Sequence, residues 1–284
     1  MKRCAITGAN GYLGKAMVRA FGEAGWVVES LVRRPEQLQT NAHRFVLGET
    51  CDPKLLSGVD VLIHCAWDFS PGTWDDYVRI NVDGSKELFD LAVRANVENL
   101  IFISSMSAHD GCRSNYGRAK LRCEEQVLAH GGAAIRPGLV WGGDGSGLHG
   151  AIEKVTRRLP VVPILSGSLH SLHMCHVDDL ARFLCSETEK DTALKGLYIA
   201  ADKTPWPMRK LVSQIAAATS KFRIIVPIPW RLVWWLLRGL ESIGIRPPFR
   251  SDSVLGLVRD GKLPDPNTYS DGFRPYDTAE SSVK

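Results

Sequence analysis

Residues 7–14 read TGANGYLG, placing glycines at 8, 11 and 14 between an apolar run, RCAIT at 3–7, and a segment of helical periodicity from 12 to 24. Glycine at these positions permits a tight turn, lets the backbone approach a pyrophosphate, and packs a helix closely on a strand, while the helix N-terminus attracts the anion. The strand before and the helix after supply the context that the spacing requires. The stretch therefore predicts the opening of a dinucleotide-binding βαβ unit.

Outward from this turn, apolar runs alternate with amphipathic stretches, the rhythm of a parallel sheet. The expected strands are RCAIT, VVESLV, RFVL, DVLIHCA, NLIFIS and AAIRP, with helices over 12–24, 53–57, 74–95 (capped by Thr73) and 115–130. This predicts an α/β chain with a doubly wound parallel sheet. After Pro137 the six glycines of GLVWGGDGSGLHG suggest a mobile loop, a candidate lid. HVDDLARFLCSE resumes a helix, with Asp178 as its expected cap, and GLYIA adds a strand. The expected division is a dinucleotide-binding domain over 1–200, with a substrate-loop insertion near 141–175, and a small lobe over 201–284 whose proline-rich tail wraps it irregularly.

The tip of the second strand selects the dinucleotide, because an acid there grips the ribose 2'-hydroxyl of NAD. Val32 occupies that place, Glu29 lies too early, and Arg33 and Arg34 follow, suited to a 2'-phosphate. NADP(H) is the expected cofactor and NAD(H) the alternative, in which case the two arginines only solubilise a loop.

A hydrophobic content of 44%, a charged content of 23% and a net charge of +4 give no concentrated basic face and exclude a nucleic-acid partner. The seven scattered cysteines lack close pairing and suit a reducing cytoplasm. The first glycine turn comes too early for a signal peptide's apolar run, and no stretch approaches the roughly 20 apolar residues that span a bilayer.

In SNYGRAK, 114–120, Tyr116 and Lys120 stand four apart and share a helix face, as a surface pair or as a proton-transfer device. Together with TGANGYLG, HCAW after the fourth strand, Asn81 in INVDGSKEL, SSMS after the fifth strand, RPGLVWG and HVDDLA, in order through about residue 200, the chain resembles the extended or atypical short-chain dehydrogenase/reductases. The resemblance implies a Rossmann domain with a C-terminal substrate lobe, and commonly a homodimer packed through helices near 85–95 and 115–130. It implies that Tyr116 is the acid/base, Lys120 its partner and ligand of the nicotinamide ribose, and Ser105 the hydrogen-bond donor to the carbonyl. Ser107 is the fallback, pointing the same way along an extended chain. Asn81 is implied as a support near Lys120, or is simply a capping residue. The cofactor would be held by Gly8, Asn10, Gly11, Tyr12, Leu13 and Gly14, by Arg33 and Arg34, by Cys65 and Ala66, by Tyr116 and Lys120, and by Pro137 and Leu139.

A free tyrosine, with a pKa of about 10, is a poor base at neutral pH. Lowering it by about three units takes roughly 4 kcal/mol, which one cation at about 4 Å supplies at an effective dielectric near 20. Lys120, helped by the charge on oxidised nicotinamide, is expected to shift Tyr116 toward 7.

The chain departs from nucleotide-sugar members of the family at Leu139 and Leu172, where an Asn and an Arg often serve the phosphates. Met106 and Ser107 replace the acidic pair of the dehydratases, which argues against dehydration. Trp67 and Asp68 follow the fourth strand and, with Trp74 and Trp141, line an apolar substrate pocket or simply pack. His109 reads as a surface residue. In HSLHMCH, His170 and His173 point to opposite faces of an extended segment, so no metal is expected. PIPWRLVWWLLRGLESIG, 227–244, reads as a helix covering a substrate pocket or dimer face, or as an interfacial membrane helix.

The leading expectation is an NADP(H)-dependent oxidoreductase that reduces a carbonyl or oxidises a secondary alcohol, a keto-sugar nucleotide being one candidate. The alternatives are a nucleotide-sugar epimerase that retains NAD(P) and a dinucleotide-binding scaffold or sensor without turnover.

Overall fold

The central strand β1 (Arg3–Thr7) is flanked on one side by β2 (Val27–Val32) and β3 (Ala42–Arg44). On the other side lie β4 (Val61–His64), β5 (Asn99–Ile103), β6 (Ala133–Pro137) and, at the far edge, β10 (Gly196–Ala200). All six pairings are parallel. The computed structural model describes residues 1–37, 41–167, 172–218, 222–245, 249–258 and 268–280.

Parallel strands covered on both faces need apolar side chains in both directions, and these strands alternate between two cores. Ile6, Ile63, Ile101 and Ile135 face α1 (Tyr12–Glu23) and α6 (Val177–Thr188), against Met17, Phe21, Leu180 and Leu184. Ala5, Leu62, Leu100 and Phe102 face the other way, against Leu88, Phe89 and Val127 of α3 (Gly84–Arg94) and α4 (Asn115–Ala129).

Several expectations are corrected. The third strand covers 42–44 rather than 44–47, and Phe45 turns inward into the core. Residues 53–56 form a single 3-10 turn closed by the Asp52 carboxylate. The segment 74–95 is helical throughout and Thr73 caps it, accepting from the Asp76 N–H at 3.2 Å. It is nonetheless built from α2 (Trp74–Tyr77), a π-helical stretch over Val78–Asp83, and α3. His176, not Asp178, caps α6; Asp178 pairs with Arg19.

The glycine-rich stretch 138–150 is not a loop throughout. Leu139–Trp141 forms β7, which pairs with β9 (Leu172–His176), and α5 (Gly147–Arg158) begins within the glycines. These glycines serve close packing: a Cβ at Gly150 would lie 1.6 Å from the Gly145 carbonyl oxygen.

The described residues of 139–167 and 172–176 pack with those after 201. β9 also pairs with β11 (Pro205–Trp206), and β8 (Val161–Ser166) pairs with β12 (Ile224–Pro229). α7 (Met208–Ala218) lies against α5 and β8, Met208 and Val212 clustering with Ile152 of α5 and with Val162 and Ile164 of β8. The stretch 227–244 starts as the end of β12 and continues as α8 (Trp230–Ser242), and the tail contains a regular helix, α9 (Ser251–Leu257). Residues 268–280 return to the main sheet, where the Ser270 N–H donates to the Ile199 carbonyl, Phe273 joins the core and Arg274 pairs with Asp179. No helix among the described residues is long and apolar enough to cross a membrane.

Candidate active site

The glycine turn is held at the tip of β1. Gly8 takes φ +65°, its N–H donates to the Leu31 carbonyl, and a Cβ there would lie 3.0 Å from the Ala66 Cα. A Cβ at Gly14 would lie 2.2 Å from the Gly8 carbonyl oxygen. Gly11 caps α1 without any side-chain hydrogen bond, and the first turn carries no acid. The turn, with Asn10, Tyr12 and Leu13, thus presents an open helix N-terminus that only small residues leave accessible, which fits a pyrophosphate. Tyr12 fixes the far side by donating to the Gly142 carbonyl at 2.9 Å.

Cys65 and Ala66 continue from β4 beside Gly8, the Ala66 N–H donating to Thr7 Oγ1 at 3.0 Å. Pro137 ends β6 and Leu139 opens β7. Arg33 and Arg34 are exposed just beyond β2, whereas the acid of that strand, Glu29, is buried and committed to Arg3 (2.6 Å) and His43 (2.8 Å).

Beneath the turn, His64 joins β1, β4 and α3. Its Nδ1 lies 2.7 Å from Thr7 Oγ1 and its Nε2 lies 2.9 Å from Ser85 Oγ. Thr7 Oγ1 also accepts the Ala66 N–H, and the neutral imidazole donates through one ring nitrogen and accepts through the other between Thr7 and Ser85. Burial, with the Lys120 charge adding, pushes its pKa from 6.5 down to about 3. The folded state thus holds fewer protons than the unfolded one between these values. The stability this provides is complete above pH 6.5 and is lost as pH falls toward 3, up to about 5 kcal/mol. We expect the urea midpoint to fall less between pH 7 and pH 4 for His64→Asn than for the parent; equal falls would remove His64 as the cause.

Tyr116 and Lys120 project from the first turns of α4, which Ser114 caps by accepting the Gly117 N–H. Gly117 is required because a Cβ there would sit 2.3 Å from the Ser107 carbonyl oxygen. Burial pushes the Tyr116 phenol up to about 12, opposed by the neighbouring Ser105 hydroxyl. The protein's own groups therefore do not by themselves supply the expected lowering toward 7. Lys120 does not neutralise the phenol directly: its Nζ donates to the Ile103 carbonyl at 2.7 Å and lies 4.0 Å from the Trp67 ring centre and 5.9 Å from that of Tyr116. Burial lowers the Lys120 pKa to about 8, which leaves it mostly protonated at neutral pH.

Ser105 is therefore the serine beside Tyr116. Ser107 is not equivalent to it, because the chain turns at 105–108 and sends the Ser107 hydroxyl to the Gly256 carbonyl at 3.0 Å. Asn81, fully buried in the π-helical turn, is not a cap; it clamps Asp68 in both directions, accepting the Asp68 N–H at 2.9 Å and donating to the Asp68 carbonyl at 3.0 Å. Trp67 meets Tyr116 edge to face, and Asp68 accepts the Ser70 N–H to shape its own turn.

Two of the expected pocket tryptophans lie elsewhere. Trp141 is fully buried against His176 and Tyr276. Trp74 stacks on Arg118 and Arg122, on the face of α4 away from Tyr116 and Lys120. His109 bonds the Asp110 carbonyl. His170 lies outside the described residues; His173 bonds the Asp202 carbonyl, and among the described residues no cluster of three metal-ligating side chains occurs.

Three residues near Tyr116 were not singled out from the sequence. Phe69 stacks on Tyr116 with ring centres 5.7 Å apart. Asp252 of α9 accepts the N–H groups of Asn115 (2.7 Å) and Tyr116 (3.1 Å), adding a second cap to α4. Arg250 donates to the Phe69 and Pro71 carbonyls. Only Phe69, adjoining HCAWD, had a local signal; the other two act from well over a hundred residues away.

The NAD dependent epimerase/dehydratase family matches residues 4–196. The chain is 34% identical over 192 residues to the ceramide reductase of Caulobacter vibrioides, covering 62% of this chain and 58% of that protein. It is 26% identical to the 2-alkyl-3-oxoalkanoate reductase of Stenotrophomonas maltophilia, over 93% of this chain and 90% of that one. Among solved structures, MoeE5 in complex with UDP-glucose and NAD superposes with a TM-score of 0.67 at 21% identity, covering 98% and 97% of the two chains, a likeness of fold. With the open glycine turn, the half-buried tyrosine and the buried lysine in place, the chain belongs to the NAD dependent epimerase/dehydratase family, as an NAD(P)-dependent oxidoreductase/epimerase of the extended short-chain dehydrogenase/reductase type.

Proposed function

We propose that the enzyme uses NADPH to reduce a carbonyl flanked by alkyl chains, with Ser105, Tyr116 and Lys120 as its catalytic set. The observation that carries this reading is the placement of the Tyr116 phenol beside Ser105, walled by Trp67 and Phe69. A protonated phenol is the state from which a carbonyl reduction starts. The bound nicotinamide supplies the hydride. Tyr116 donates its proton to the carbonyl oxygen, while Ser105 donates a hydrogen bond to the same atom. Lys120, at 5.9 Å from the ring, offsets the phenolate charge that this leaves, by roughly 3 kcal/mol at an effective dielectric near 20. Asn81 keeps the Trp67–Asp68 wall in place.

The cofactor would be held by the glycine turn, by Cys65 and Ala66, and by Pro137 and Leu139. Arg33 and Arg34, exposed and free of acidic partners among the described residues, favour a 2'-phosphate. The aromatic wall and the apolar Leu139 and Leu172 favour an alkyl substrate over a nucleotide-sugar, and the names of the two reductase relatives point the same way. The described elements β7, α5, β8, β9, β11, α7, β12, α8 and α9 would form the substrate side. Exposed Val93 and Leu128 on α3 and α4 support a homodimer, and seven free cysteines support a reducing cytoplasmic location.

The test is a fluorescence titration with NADPH and NADH, followed by turnover of a 2-alkyl-3-oxoalkanoate and a UDP-hexose. We expect NADPH to bind at least about tenfold tighter, by 1.4 kcal/mol or more, and the oxoalkanoate to consume it. Tighter NADH binding would remove the argument from Arg33, and inversion of the UDP-hexose without net cofactor use would establish the epimerase instead.

A further inference from the structure

We propose that the outer face of α8 seats the protein on an anionic membrane surface. Leu232, Trp235, Leu236 and Ile243 follow one another at helical spacing, and each is between 63 and 71% exposed. The opposite face is satisfied: Trp230, Val233, Trp234 and Leu237 pack on Val254 and Leu255 of α9. The exposed stripe is therefore not core that the fold failed to cover.

Charge selects the occupant. Arg231 and Arg238, two turns apart, lie on the same flank of the stripe, both exposed and neither paired with an acid among the described residues. The one acid of the helix, Glu241, is turned inward, accepting from the Ser251 N–H at 2.8 Å and the Ser251 hydroxyl at 2.6 Å. A second copy of the chain seated on this stripe by twofold symmetry would bring the same patch to itself and offer the arginines no carboxylate from that helix. Lipid phosphates meet the need: an apolar face bearing Trp and Leu, flanked by arginines, lies in the plane of a bilayer interface with its cations at headgroup level. The helix spans roughly 20 Å, enough to lie along the surface and too short to cross it.

The seating leaves two helices, α8 and α9, between the lipid and α4. α8 packs on α9, and α9 holds the start of α4 through Asp252 and the Ser107 hydroxyl through the Gly256 carbonyl.

The experiment is flotation of the full chain with vesicles of phosphatidylcholine, with and without phosphatidylglycerol. We expect recovery with the anionic vesicles, weakened by high salt, and a loss of about tenfold or more in both a Trp235→Ser/Leu236→Ser variant and an Arg231→Glu/Arg238→Glu variant. Melting temperature and NADPH affinity stay unchanged in both, so this proposal and the proposed reaction fail separately. Absence of flotation, flotation unaltered by the substitutions, or conversion of a dimer to a monomer by the serine variant would overturn it, the last assigning the face to a second copy.

Discussion

Tyr116→Phe lowers kcat by about three orders of magnitude, weakens NADPH binding far less than that, and leaves the melting temperature unchanged. General acid catalysis by a positioned side chain contributes on the order of 10²–10⁴-fold, and removing the phenolic oxygen takes the proton donor while keeping the ring. The ring itself is structural: it stacks on Phe69 and meets Trp67 edge to face, contacts that phenylalanine preserves. The hydroxyl is the part whose titration is perturbed, held by burial at about 12. Steady-state kinetics with a carbonyl substrate, alongside a cofactor titration, separate the two roles. A variant retaining more than about a tenth of the parent kcat would mean that another group donates the proton.

Gly14→Ala weakens dinucleotide binding by about 10–100-fold. The added methyl would stand 2.2 Å from the Gly8 carbonyl oxygen and 2.7 Å from the Ala9 Cα, both backbone atoms that cannot rotate away. Either α1 withdraws or the turn opens. Overpacking of this kind costs about 1–3 kcal/mol, and here it acts on the helix N-terminus proposed to hold the pyrophosphate. The same substitution at Gly22, where nothing lies within 4 Å, is the control and leaves affinity unchanged. Equal affinities for the parent and Gly14→Ala, measured by fluorescence titration, would place the dinucleotide elsewhere.

How much of this was legible in the sequence follows from the range of each interaction. RCAIT, VVESLV and AAIRP match their strands residue for residue because strands buried on both faces must be apolar in unbroken runs bounded by turns. RFVL failed for the complementary reason. The edge strand pairs through Ala42, His43 and Arg44, whose side chains are largely exposed, while the neighbouring apolar Phe45 marks burial and not pairing. The glycines of 138–150 misled because glycine marks both mobility and close approach, and here Gly150 packs against the Gly145 carbonyl.

The site divides along the same line. The spacing of Tyr116 and Lys120 is local and was readable, and Asn81 was placed near them. Its clamp on Asp68 depends on a π-helical turn that no sequence period announces. Asp252 and Arg250 reach the site only through the docking of α9, and nothing in the chemistry of SNYGRAK requires them. That the protein's own groups do not lower the Tyr116 phenol was not legible, because a sequence names the cation but not the carbonyl it serves. Lys120 is committed to Ile103, and the desolvation of a buried phenol prevails.

The central claim is tested most directly by a single turnover with NADPH carrying deuterium at the transferable position of nicotinamide C4 and a 2-alkyl-3-oxoalkanoate as acceptor. The account predicts one deuterium on the carbinol carbon of the product and stoichiometric oxidation of the cofactor. Product without the label, or label retained on the cofactor while the acceptor is unchanged, would contradict it.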